Sequence, residues 1–157
     1  MSDTIAFLCP LPPPELHSNP KTWRTDRSGK KRRVPPHWTE KVKAKQAYSE
    51  RVYVQWAVHS AIHAAETHGE LFGVPWKRAR IIYEWRYCGN APDEQNLGAN
   101  LKALTDILCM APNNGLQTNN TTYLGLVEDD KGLEPEYRLT RVAHRTDEGV
   151  YVTLVRL

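Results

Sequence analysis

The sequence predicts a single α+β domain: a small mixed β-sheet of about four strands with two main helices packed on it, in the order β-α-β-α-β-β. Three observations predict it. Short runs of branched and aromatic residues alternate with two stretches of helical periodicity. Leu97, Leu101, Leu104 and Leu108 give one of those helices a single apolar face to lay on a sheet. The 157 residues suffice for one proper core and would be cramped for two.

The elements follow in order. Thr4 to Cys9 reads as a short buried strand, stopped by Pro10, Pro12, Pro13 and Pro14, which cannot donate to a ladder. Arg27 to Arg33 reads as a flexible basic arm ended by Pro35 and Pro36, part of a basic segment at about 21–36. Thr39 is the expected N-cap of a long helix, and Glu40 suits the positive end of its dipole. Lys41, Lys43 and Lys45 crowd its first turns, and from Val52 onward it is apolar nearly all round. This helix is expected to start wet and basic and to end buried near Gly69. His59 and His63 stand four apart without a His-Glu-x-x-His pattern, so they read as packed histidines.

Arg78 to Cys88 reads as a strand with Ile81, Tyr83, Trp85 and Tyr87 on one side. Gly89 to Pro92 turns it into the second helix. Pro112 to Asn120 is a turn-rich loop within an insertion at about 110–122. Tyr137 to Ala143 and Val150 to Leu157 read as closing strands joined by a turn near Asp147.

The net charge of +3 hides an uneven distribution. From Lys21 to Lys45, ten basic residues face only Asp26 and Glu40. Glu128, Asp129, Asp130, Glu134 and Glu136 form an acidic cluster. Such a division suits a polyanion held while carboxylates hold a metal against it; solvated surface is the plainer reading. Cys9, Cys88 and Cys109 are odd in number and scattered, which argues against a disulfide framework or a thiolate zinc site. No membrane span or signal peptide is expected, and a reducing cytoplasm fits.

Two stretches carry the candidate chemistry. Asp93-Glu94-Gln95-Asn96 opens the second helix, and Asp93, Asn96 and Asn100 are expected to line one polar flank of the leucine row. Lys102 and Asp106 are an i,i+4 pair on the other flank, readable as a surface ion pair. Mg2+ needs only one or two carboxylates, because water and phosphate oxygens complete its octahedron. Asp93 with one of Asp129 or Asp130 meets that need. A nearby lysine would stabilise charge on a phosphate in its transition state.

These residues give the chain a resemblance to the RusA-like Holliday junction resolvases, especially the phage-borne members. The opening strand followed by Pro-Leu-Pro-Pro-Pro-Glu-Leu-His-Ser-Asn is similar to the family's strand, Pro-Pro-Ser and Asn. Asp93 to Asn96 and Leu97, continuing to Lys102 and Asp106, resembles its Asp-x-Asp-Asn-Leu helix with a following Lys and Asp. Glu128-Asp129-Asp130 resembles its later Asp-Asp, and the closing strands resemble its last pair. The resemblance implies a homodimeric endonuclease that cuts four-way DNA junctions with Mg2+, or Mn2+ in its place. It implies Asp93, Gln95 and Asp130 at the metal, Asp129 as ligand or support, Lys102 facing the phosphate, and Asn96 and Asp106 in support. Lys21, Trp23, Arg24, Lys30, Lys31, Arg32, Arg33, Lys41 and Lys45 would hold DNA. The chain departs from the pattern at Gln95, where the family has a second aspartate. An amide there keeps an oxygen but removes a charge. The rival expectations are a branched-DNA binder without cleavage and a small interaction protein that docks an acidic partner.

Overall fold

A computed structural model describes residues 4–18, 20, 22–66, 73–112 and 121–157, with backbone alone at 22 and 63–66. The architecture is α+β, as the alternation of short apolar runs and helical stretches predicts. Strands β1 (Thr4–Cys9), β4 (Ala79–Tyr87), β5 (Leu133–Arg141) and β6 (Gly149–Arg156) form one sheet in the order β1-β6-β4-β5. Strands β2 (Thr22–Thr25) and β3 (Lys31–Val34) form a separate two-stranded hairpin. The helices are α1 (Trp38–Glu66), α2 (Leu97–Asn100) and α3 (Lys102–Leu108). Among the described residues no helix is long and apolar enough to cross a membrane.

The sheet is mixed because β4 pairs parallel with β5, while β6 runs antiparallel to both β1 and β4. A parallel pair needs a long crossover. Here the crossover carries α2, α3 and the acidic stretch. Alternation along β4 buries Ala79, Ile81, Tyr83 and Trp85, and β6 contributes Val150, Val152 and Leu154. Leu97, Leu101, Leu104 and Leu108 are all buried against this sheet, as their spacing predicts.

Four expectations need correction. The basic arm is a β-hairpin. Asp26 makes its turn by accepting from the Ser28 and Lys30 backbone nitrogens at 2.9 and 3.0 Å, and Gly29 takes φ +81°. Helix α1 begins at Trp38, one residue before the expected cap, because Glu40 reaches back to the His37 backbone nitrogen at 2.8 Å. Its far half is not buried all round: Val54, Val58 and Ile62 are 55, 56 and 55 % exposed, and the expected end near Gly69 lies outside the described residues. The helix meets the sheet at its β1 edge, where Phe7 packs on Trp56 and His59 at centroid distances of 5.3 and 5.9 Å. The opposite side overhangs.

Finally, β5 starts at Leu133, so Glu134 and Glu136 belong to a strand, and β5 is not the hairpin partner of β6. Pro135 and the flanking acids read as loop in the sequence. An edge strand tolerates all three, because one side of it makes no ladder.

Candidate functional site

The site lies in the β4–β5 crossover and is built from two ends. One end is the second helical region. It was expected as one regular helix and is broken into three pieces: a 3-10 turn at Glu94–Asn96, then α2, then α3. Asn96, Gly98 and Asn100 are weak helix formers, and Leu101 sits at φ −95°, ψ 1° between the pieces. The leucines still face the sheet, and Tyr83 fixes α3 from below by a 2.6 Å hydrogen bond with the Thr105 hydroxyl. The break aims Lys102 independently of Asp93.

The other end is the segment 124–132. Its backbone is held on both sides. Met110 donates to the Val127 carbonyl at 2.9 Å, and Glu128 donates to the Trp76 carbonyl at 3.0 Å. A short 3-10 turn, Asp130–Gly132, then leads into β5. Asp129 caps this turn by accepting from the Gly132 nitrogen at 3.1 Å. Asp130 instead accepts from Lys102, so the two neighbouring aspartates have different partners. Gly132 allows the turn to lie close against the Lys77 backbone, where a Cβ would strike the Lys77 carbonyl.

Lys102 joins the two ends. Its ammonium donates to Asp130 Oδ2 at 2.8 Å and sits 2.9 Å from Asp106 Oδ1. Asp106 in turn holds Lys45 of α1 at 3.1 Å through its other oxygen. The order Lys45, Asp106, Lys102, Asp130 is an alternating chain of charges from helix α1 to the entry of β5. Asp130, then Asp106, keep the Lys102 proton on well above the ordinary lysine range. Lys102 in turn holds the Asp130 carboxyl below the usual carboxylate range. The chain borders an open cleft of about 530 Å³, also lined by Cys109, Tyr123, Glu128 and Asp129. Burial, with Asp130 and Asp106 nearby, pushes the Cys109 thiol up to about 12, so it stands there as a neutral group.

Several residues named from the sequence lie elsewhere. Asp93 does not line this cleft. One of its oxygens accepts from the Gln95 backbone at 3.0 Å and the other from the Asn96 amide at 2.8 Å. Asp93, Gln95 and Asn96 therefore form a compact exposed turn. Asn100 leaves the expected polar flank: it is buried and accepts from the Ser18 backbone at 2.8 Å, tying down the proline-rich segment. Glu134 and Glu136 pair with Arg78 and Arg138 at 2.8 and 2.7 Å, which separates them from Asp129 and Asp130. Lys45 leaves the basic row and joins the cleft. Lys41 is exposed, as are Trp23, Arg24, Lys30, Lys31, Arg32 and Arg33 on the hairpin. Lys21 and the loop 113–120 lie outside the described residues, as does the His63 side chain.

Among the described residues no three His, Cys, Asp or Glu side chains converge as a metal cage. The donors present suit a water-rich divalent cation instead. They are hard carboxylate oxygens in a cleft open to water; Asp106 and Asp130 converge on the Lys102 ammonium, which a bound cation would displace. Sequence reasoning paired Lys102 with Asp106 but did not foresee Lys45 as the other partner of Asp106. The lining roles of Cys109 and Tyr123 carried no sequence signal. No family model matches the chain, and no curated protein matches it.

Proposed function

We propose that the chain is a structure-selective DNA endonuclease that resolves four-way junctions by metal-dependent phosphodiester hydrolysis, in the manner of the RusA-like resolvases it resembles. The observation that carries the reading is the meeting of Lys102 with Asp106 and Asp130 on one open cleft. Those three residues come from two motifs 28 positions apart, as Lys102 and Asp130 show, and only the fold unites them.

The resemblance implies Asp93, Gln95 and Asp130 at Mg2+ with Asp129 and Asp106 in support; of these, Asp130, Asp129 and Asp106 line the cleft, and Asp130 is the residue that would hold the metal there. A bound Mg2+ would lower the pKa of a coordinated water and neutralise charge on a phosphate. Lys102 places a fixed positive charge where a backbone phosphate would enter, and Asp106 restrains that lysine. The hairpin and the start of α1 would supply the DNA-binding surface through Trp23, Arg24, Lys30 to Arg33 and Lys41, with Lys30, Lys31, Arg33 and Lys41 as the cations outside ion pairs among the described residues. Two symmetric cuts call for two copies, and the exposed row Val54, Val58 and Ile62 on α1 supports a homodimer.

A second reading keeps the DNA binding and removes the cutting. Two observations favour it: Gln95 replaces a carboxylate, and both oxygens of Asp93 are engaged within its own turn. A labelled four-way junction and a linear duplex, each incubated with Mg2+, Mn2+ or EDTA, separate the two. Paired nicks on the junction alone, abolished by Asp130→Asn, are expected. Retention without nicks in any metal overturns the nuclease in favour of the binder. Failure to retain either DNA at low salt overturns both.

A further inference from the structure

The β2–β3 hairpin has two unlike faces. Its register sets Trp23 opposite Arg33, Arg24 opposite Arg32, and Thr25 opposite Lys31. Opposed residues in an antiparallel pair share a face, and neighbours along a strand alternate. Arg24 and Arg32 therefore share one face, and Trp23, Thr25, Lys31 and Arg33 share the other.

The first face is neutralised. Arg24 pairs with Glu40 of α1 at 3.0 Å, and Arg32 with Asp26 of the turn at 3.3 Å. The Glu40 contact also docks this face to the start of α1. On the second face, among the described residues, no carboxylate lies within ion-pairing distance of Lys31 or Arg33. The Arg33 guanidinium carbon stands 5.9 Å from the centre of the Trp23 ring, and Trp23 is 68 % exposed. A cleft of about 400 Å³ beside the indole is lined by Trp23, Arg24, Thr25 and Lys31.

We propose that this outward face binds unpaired nucleotides, with the Trp23 indole stacked on a base and Lys31 and Arg33 on the flanking phosphates. The chemistry selects this ligand. An exposed indole flanked by unneutralised cations complements a flat π-face joined to an anion. Duplex DNA offers the anion but hides its base faces within the stack. Single strands and the unpaired nucleotides of a branch offer both. An acidic peptide would satisfy the cations and leave the indole without a partner. The proposal rests on the reading of the chain as a DNA-binding protein and narrows it: the hairpin reads unpairing, while the cleft around Lys102 acts on phosphate.

The test measures binding of the full chain in EDTA to a short fluorescent oligo(dT), to a blunt duplex of equal length and to a poly-glutamate peptide. The single strand is expected to bind more tightly than the duplex or the peptide. Trp23→Ala should weaken oligo(dT) binding about tenfold, several times more than it weakens duplex binding, and be largely restored by Trp23→Phe. Lys31→Gln with Arg33→Gln should reduce the salt slope by about 1.4 for the two lost phosphate contacts. The proposal is overturned if Trp23→Ala binds oligo(dT) like the parent chain, if Trp23→Phe is as weak as Trp23→Ala, or if the peptide binds as tightly as the oligonucleotide. Its failure is distinct from that of the nuclease reading. Oligo(dT) binding that depends on Trp23, without junction nicking, removes the nuclease and keeps the platform. Junction nicking with Trp23→Ala inert on oligo(dT) removes only the platform.

Discussion

Replacing Lys102 by methionine tests whether one ammonium organises the cleft. Methionine keeps the apolar stem and removes the charge that lies 2.8 Å from Asp130 and 2.9 Å from Asp106. Asp106 retains Lys45 at 3.1 Å, whereas Asp130 has no second ion pair among the described residues. The loss therefore falls mainly on Asp130. The Lys102 and Asp130 side chains are 58 and 48 % exposed, so water screens them. Their coupling is expected at about 0.5 kcal/mol, and the whole loss for Lys102→Met at about 1 kcal/mol, in the range of exposed pairs. For a chain of this size that is about 3 °C in Tm. A urea-denaturation cycle of Lys102→Met, Asp130→Asn and the double variant isolates the coupling.

The pH dependence gives the sign. Asp130 is depressed in the folded chain. Its contribution is complete above the unfolded aspartate value of about 3.9 and is lost as pH falls through the folded value. Lys102 is raised. Its contribution is complete below the unfolded lysine value of about 10.4 and is lost as pH rises through the folded value. The coupling should then be flat from about pH 5 to pH 9 and weaken with salt. A coupling of zero at low salt, or one unchanged in strong acid, would refute the reasoning.

Four further outcomes are expected. Gly132→Ala drives a Cβ into the Lys77 backbone carbonyl, which cannot step aside, and should cost about 2 kcal/mol in urea unfolding. Gly98→Ala meets the end of the Tyr137 side chain, its hydroxyl nearest at 3.1 Å, rather than backbone, and should cost less than half as much by the same measurement. Tyr83→Phe removes a buried hydroxyl bonded to Thr105 at 2.6 Å; Thr105 keeps the Leu101 carbonyl at 3.0 Å, so the loss should be about 1 kcal/mol. Gln95→Asp should raise junction nicking about tenfold at limiting Mg2+, and an unchanged rate would separate position 95 from the metal.

The sheet and its leucine-bearing cover were legible because burial follows periodicity. Ile81, Tyr83 and Trp85 alternate inward, and Leu97 to Leu108 keep one face through every break in the helix. The breaks themselves were not legible, since Asn96, Gly98 and Asn100 each weaken a helix by an amount that tertiary packing could have overridden. The hairpin was hidden by its composition. Arg27 to Arg33 reads as solvated charge, and only the Asp26 turn and its register make it structure. The exposed half of α1 was misread because an apolar run states what can be buried and not whether a partner lies beside it. The resemblance put Lys102 and Asp130 in one site, but spacing and periodicity carried no signal for their direct ion pair. That pair depends on the parallel docking of β5 on β4, a relation between segments rather than a property of either.

That docking has a consequence for how the chain assembles. The first strand and the fourth are never neighbours, since β6 lies between them and is the last strand in the sequence. Every charged member of the cleft except Lys45 belongs to the crossover that precedes β6. The cleft residues are therefore all synthesised before the strand that locks β1 to β4. With pairings this distant in sequence, folding should be slow and late. A nascent chain halted before Gly149 would carry the Lys102, Asp106 and Asp130 side chains and both strands of the β4–β5 pair, with β1 left unpaired as an exposed edge.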